Sequence, residues 1–334
     1  LNNYTVTEGT PSNSALTQLV NTPYIPPSSS TTTPTYSGIL ADLHNMGIEI
    51  PLLTDKNVLG KLISLQPIDL LTYDPNLPTV NLSFESNVDL IKQRIAQGDI
   101  YQVNLCRVLT ADSDQSLLGL AGKLQQANPA PFASYLKLPG MEIASASPEL
   151  FLERKGEVIK TTPIKGTSKI DNFGDKDRAE NVMIVDLMRN DFGAICEPGS
   201  VDVPRLLASE SHPGLFHLVS DVTGRLQKGL NWNQILSSLL PAGSISGAPK
   251  SSALKVISEI EKIDRGPYCG VIGWIDNNQA LLSVGIRIFW SVEDGKINFG
   301  TGAGITWQSD PNSEWEETEL KAKRLIAIAS GVLA

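Results

Sequence analysis

Cysteine, histidine and methionine are scarce in this 334-residue chain, at three, three and four copies. Cys106, Cys196 and Cys269 stand far apart and in no CxxC spacing, which argues against a disulfide framework or a zinc knuckle and points to a reducing cytoplasm. Long hydrophobic runs are missing too. No stretch approaches the ~20 apolar residues of a membrane span, and the chain does not open with a basic segment followed by an apolar one. The expectation is a soluble, unexported chain with no membrane partner. Basic charge is in deficit: 27 Lys and Arg against 36 Asp and Glu leave a net charge of −9, which repels phosphate backbones and argues against nucleic acid. An anionic ligand therefore needs a local cluster of cations. No HExxH is present, and no GxGxxG or GxxxxGK[ST] follows a strand pattern, so those metal and nucleotide sites have no support.

What is there reads as globular, with 41% apolar and 19% charged residues and a length suited to two domains or one large one. The first forty residues carry a single charged side chain, Glu8, among fifteen Ser or Thr and five Pro, an irregular segment. We divide the chain into an N-terminal segment, 1–82, and a denser domain, 83–334. Short apolar groups at 48–50 and 62–63 can add a small helix or edge strand to the larger body. In the dense part, Ser86 with Asp89 resembles a capping box, and Val88, Ile91 and Ile95 continue at helical spacing until Gly98. Strands are expected over 142–147, 149–154 and 157–160, the last two joined at Lys155-Gly156. Further strands are expected over 270–275, 279–290 and 296–299. Helices are expected over 175–191, 232–240 and 249–263, and from Ser313 onward with Trp315, Ala322, Leu325 and Ile326 facing a core. The class is α+β, with long antiparallel strands and helices outside.

Several residues invite chemistry. Glu314, Glu317 and Lys321 at i, i+3 and i+7 share one helix face, either as a solvated i,i+4 pair or as part of a site. Asp177 and Glu180 are likewise three apart. They read either as helix-start charges that suit the macrodipole or as buried ligands beside the apolar run from Val182. If the two pairs converge, they supply the hard oxygen donors that Mg²⁺ takes. Lys165 lies in Thr162-Pro163-Ile164-Lys165-Gly166-Thr167. It is either a solvated loop lysine or an amine whose pKa is lowered by nearby cations, with Lys160 and Lys169 as the expected neighbours. The glycines of Gly300-Thr301-Gly302-Ala303-Gly304, expected after a strand, let backbone N–H groups approach an anion. Arg287, inside an apolar run, needs an anionic partner or costs several kcal/mol. His217 sits among Phe216, Leu218 and Val219, as a core histidine or a catalyst.

Taken together, nine stretches resemble the chorismate-utilising enzymes, the family of anthranilate synthase component I, isochorismate and salicylate synthases and aminodeoxychorismate synthase component I. They are Gly98 to Leu105, Ser147-Pro148-Glu149, Pro163 to Thr167, Asp177 to Asp191, His217 to Ser220, Gly243 to Lys250, Ile286-Arg287, Gly302 to Ile305 and Glu314 to Lys321. The resemblance implies two large antiparallel sheets packed face to face, with the site at one end between them. It implies Mg²⁺ held by Glu180 and Glu317, with Glu314 and Asp177 close by, gripping the ring carboxylate of chorismate. Arg287, Tyr268 and the Gly302-Ala303-Gly304 backbone are similar to the residues that bind the enolpyruvyl carboxylate. Lys321 and the Gly166-Thr167 backbone line the ring side. Members that add water place a lysine where this chain has Gln102. Lys165 in the Pro-Ile-Lys-Gly-Thr pattern resembles the aminodeoxychorismate synthases, whereas anthranilate synthases usually have alanine there. The implied chemistry is attack by Lys165, proton donation by Glu149 and support from His217, with ammonia from a separate glutamine amidotransferase subunit. The Ser/Thr/Pro-rich start replaces most of the family's first segment, so no bound tryptophan is expected there.

Overall fold

The computed structural model describes residues 82–212, 215–261, 264–292 and 294–331. The polar N-terminal stretch and the short apolar groups at 48–50 and 62–63 lie outside them. Two antiparallel sheets and seven helices are seen among the described residues. None of these helices is long and apolar enough to cross a membrane.

The six-stranded sheet runs β2 (Phe132–Leu138), β3 (Met141–Ser147), β12 (Ile288–Ser291), β13 (Lys296–Ile305), β1 (Gln102–Asp112) and the short β9 (Gly247–Ala248). The seven-stranded sheet runs β10 (Val271–Asp276), β11 (Gln279–Val284), β4 (Leu150–Lys155) and β5 (Val158–Thr162) to β8 (Leu215–Arg225). β8 also pairs with β6 (Ile164–Ser168) and with β7 (Asp202–His212). The helices are α1 (Leu82–Ala96), α2 (Leu117–Ala127), α3 (Asp175–Ile195), α4 (Trp232–Leu239), the one-turn α5 (Gly243–Ser246), α6 (Lys250–Ile260) and α7 (Pro311–Ala329).

Strand alternation sorts side chains into layers. On β12, Ile288 and Trp290 join the largest core, together with Leu152 and Ile159 of the second sheet and Ile184 and Phe192 of α3. Phe289, between them, points the other way, toward Leu117 and Leu124 of α2 and Leu325 of α7. On β1, Val103 and Leu105 pack under Val88 and Ile91 of α1 and Val256 of α6. Each such buried aliphatic or aromatic side chain contributes ~1.5–3 kcal/mol.

The structure corrects the sequence reading at four places. First, α1 opens at Leu82, so Ser86 lies inside it rather than capping it. Second, α7 opens at Pro311 behind Asp310, whose carboxylate accepts the Ser313 N–H at 2.9 Å, so the helix starts earlier than Ser313. Third, the strand expected over 279–290 is two strands in different sheets. Arg287 is not in mid-strand; it sits at the crossover with φ of 53°. Fourth, β13 does not stop at Phe299 but continues through the glycine run, paired with β1 from Asp112↔Lys296 to Val103↔Ile305.

That last point explains the glycines. Along β13, Phe299, Ala303 and Ile305 are buried toward the helices, so Gly300, Gly302 and Gly304 face the other side. A methyl on Gly300 would lie 2.1 Å from the Tyr268 ring, and one on Gly304 would lie 2.5 Å from Gln102 Nε2 and 3.4 Å from Lys165 Nζ. Gly300→Ala therefore forces Tyr268 or the strand to move. It is expected to cost about 1–3 kcal/mol or more, read as a lower urea midpoint at unchanged m value.

Candidate active site

Lys165 sits at the centre of the polar cluster. β6 brings it from one sheet toward Gly304 of the other, and its Nζ donates to the carbonyl oxygen of Ser244 at 3.1 Å. Burial holds its pKa below the ordinary lysine range; Glu180 opposes that shift and the like charge of Lys321 reinforces it. Lys160 and Lys169 do not supply this charge. Lys160 pairs with Asp221 of the neighbouring strand β8 at 3.1 Å, and Lys169 is exposed.

Glu149, just before β4, is only 4% exposed. Burial pushes its carboxyl up to about 7, against a hydrogen bond to Ser244, the charge of Lys165, the Ile164 backbone and the charge of Arg287. Ser244 thus touches both the amine and the acid. Burial brings the pKa of Arg287 down, and the neighbouring Glu149 carboxyl opposes that shift.

The acids of α3 and α7 do converge. Lys176 Nζ lies 3.0 Å from Glu314 Oε1 and 3.9 Å from Glu180 Oε1, so two carboxylates from distant helices share one cation. Glu314 is 2% exposed. Burial raises the pKa of Glu180, which Lys165 and Lys176 oppose and the Glu317 and Glu314 charges reinforce. In Glu317 burial also pushes upward, but Lys321 Nζ at 2.6 Å prevails and brings the carboxyl below its usual range. Lys321 Nζ donates as well to the Gly302 carbonyl at 3.0 Å. Gln102 Nε2 donates to Glu180 Oε2 at 3.2 Å, while the Gln102 Oε1 is buried with no hydrogen-bond partner. Hard oxygens already bracketing an ammonium match the donor chemistry of Mg²⁺. Among the described residues, however, no three acidic, histidine or cysteine side chains stand ready as a metal cage.

Other candidates lie further out. Asp177 Oδ2 accepts the Gly174 N–H at 3.1 Å, closing the first turn of α3, and the Asp177 side chain lies beside Gly166. Gly166 and Thr167 continue β6, with Thr167 opposite the buried His217 of β8. The Ala303 methyl packs under α1 and α6, so only its backbone belongs to the glycine strand. Tyr268 covers Gly300 and is separated from the Lys165 end at Gly304 by four residues of β13, about 13 Å. Two participants escaped the sequence reading. Ser244 lay inside a quoted motif without a role, whereas Lys176 was detectable from its i,i+4 spacing to Glu180.

Two antiparallel sheets, with a buried acid and an amine joined through Ser244 and with carboxylates and cations alternating across α3 and α7, define the class: an α+β fold with a concentrated cluster of acids and cations. A model of the chorismate binding enzyme family matches residues 78–327, and the chain belongs to that family. It is 36% identical over 276 residues to an anthranilate synthase component 1 of Haloarcula marismortui, covering 76% of this chain and 56% of that one. It is also 36% identical over 259 residues to an aminodeoxychorismate synthase component 1 of Bacillus subtilis, covering 73% and 55%. The chain thus spans little more than half the length of these curated relatives. Among solved structures, anthranilate synthase component I from Streptococcus pneumoniae superposes with a TM-score of 0.68 at 28% identity, over 89% of this chain and 67% of that one. A menaquinone-specific isochorismate synthase from Escherichia coli shares the fold, with a TM-score of 0.66 at 21% identity over 82% and 67%.

Proposed function

We propose that the chain aminates chorismate at C4, as component I of an aminodeoxychorismate synthase. The observation that carries this reading is the placement of Lys165 Nζ between the Gln102–Glu180 pair and Ser244, the residue that also hydrogen-bonds Glu149. In the reaction, the neutral amine of Lys165 bonds to C2 as the ring double bonds shift. The C4 hydroxyl leaves as water with the proton held by Glu149. Ammonia then bonds to C4 as the double bonds shift back, the C2–N bond breaks so that Lys165 leaves as the amine, and a proton lost from the new C4 ammonium restores Glu149, giving 4-amino-4-deoxychorismate. Arg287 and the Gly302 and Gly304 backbone orient the enolpyruvyl carboxylate, Lys321 and the Gly166-Thr167 backbone line the ring, and His217 and Tyr268 support the walls. Glu180, Glu314 and Glu317, with Asp177 behind them, would hold Mg²⁺, which supplies charge stabilisation to the ring carboxylate when bound. The work is placed in the cytoplasm, and ammonia is drawn from a glutamine amidotransferase partner, since the relatives are named as component 1 of their synthases.

A second reading rests on the relatives themselves, which divide between the two synthase names at equal identity. An anthranilate synthase would share the ligand and release pyruvate. Incubation of the purified chain with chorismate, Mg²⁺ and ammonium separates the two: aminodeoxychorismate supports the first reading, and anthranilate fluorescence without it supports the second. A non-catalytic scaffold predicts neither product. Glu317→Ala is expected to weaken Mg²⁺-dependent chorismate binding about tenfold or more in calorimetry, and the scaffold reading predicts no change.

A further inference from the structure

Away from Lys165, at the Tyr268 end of β13, two sulfur atoms meet. Cys106 Sγ and Cys269 Sγ are 3.9 Å apart although 163 residues separate them in the chain. Both are free thiols. Cys106 is fixed in β1 opposite Gly302, with its N–H donating to Glu261 Oε1 at 2.9 Å and its Sγ receiving Asn104 Nδ2 at 3.1 Å. Cys269 is held with φ of 67° by its N–H donating to the Gly285 carbonyl at 2.7 Å. Arg265 completes the cluster: its guanidinium binds Glu261 at 2.7 Å and donates to the carbonyls of Ile245 and Asn104. The charged and titratable groups bearing on the sulfurs are therefore Arg265, Glu261 and the Tyr268 hydroxyl. Burial resists ionisation of both cysteines, yet the Cys106 S–H and the Arg265 charge bring Cys269 below the ordinary thiol range, while Cys106 is pushed above it. One sulfur is thus the better nucleophile and the other its neighbour in waiting.

We propose that Cys106 and Cys269 form a redox modification site that closes into a reversible disulfide when the chain meets a hydroperoxide. The Cys269 thiolate attacks the peroxide oxygen, the O–O bond breaks, and a sulfenic acid and hydroxide form. The Cys106 sulfur then attacks the Cys269 sulfur, the S–O bond breaks, and its thiol proton and the departing hydroxide combine as water. Two thiols are oxidised by two electrons, one hydrogen peroxide is reduced, and two waters result. Closing the bond brings the sulfurs about 2 Å nearer, from 3.9 Å to the length of a disulfide. The bond would staple the 264–270 segment, which carries Tyr268, to the strand that pairs with Gly302. Oxidation would thereby lock the Tyr268 segment to β1. The thiol chemistry is the same whichever reaction the chain performs.

The test uses the full chain. After exposure to hydrogen peroxide, the intact mass is expected to fall by two hydrogens, and the thiols titrated in denaturant to fall from three to one. A non-reducing digest should yield a peptide joining Cys106 to Cys269, and dithiothreitol should reverse all three changes. Cys196→Ala should leave the link intact, and Cys106→Ser should stop at a single added oxygen on Cys269. Three thiols persisting under conditions that oxidise free cysteine, oxygen adducts without a cross-link, or a link that uses Cys196 would each overturn the proposal.

Discussion

Lys165→Ala is expected to abolish amination at C4, lowering kcat/KM by roughly 10³-fold or more, the scale on which loss of a nucleophile acts. The reason is local. Among the described residues, no other lysine is both beside Gly304 and bonded to Ser244, so none of them replaces the amine. Quenching the wild type with chorismate but no ammonia should give a mass adduct that maps to residue 165, and the variant should give none. An undiminished rate in the variant, or an adduct elsewhere, would remove the covalent route. Slow amination at C2 in the variant is compatible with it, since chorismate remains bound when the nucleophile is gone.

Glu149→Gln carries the second large effect, about 10²–10⁴-fold in kcat, the range of a lost general acid. It should also change the pH profile. With its carboxyl pushed up to about 7, the wild type loses the needed proton as pH rises through 7, so the alkaline limb of the rate falls there. In the variant that limb should be flat. Stability follows the same sign. The folded chain keeps a proton that the unfolded chain releases near 4.5, so this contribution is full below that value and gone above about 7. Urea melts of the variant should show a weaker decline across that interval than the wild type.

Much of the architecture was legible from local patterns, because α3, α4, α7 and the hairpin at Lys155-Gly156 are governed by periodicity and turn residues within a few positions. The glycine run was not read as a strand: glycine has low strand propensity, and only tertiary contact with Tyr268 and Gln102 explains why nothing larger fits. The apolar stretch around Arg287 misled for the opposite reason, since continuous hydrophobicity does not reveal that a chain changes sheets within it. At the site, helical spacing marked Glu314, Glu317 and Lys321 as one face, but their meeting with Glu180 through Lys176 depends on how two helices are placed. The Cys106–Cys269 contact was hidden in the same way, by 163 intervening residues.

The crossover between β11 and β12 has a mechanical consequence. Three residues, 285–287, join the two sheets there, and the third is the arginine that faces Glu149. Any sliding of one slab against the other is transmitted through so short a tether straight to the guanidinium. The joint that holds the halves together is therefore also the mount of the guanidinium, and its length sets how far Arg287 can stand from Glu149.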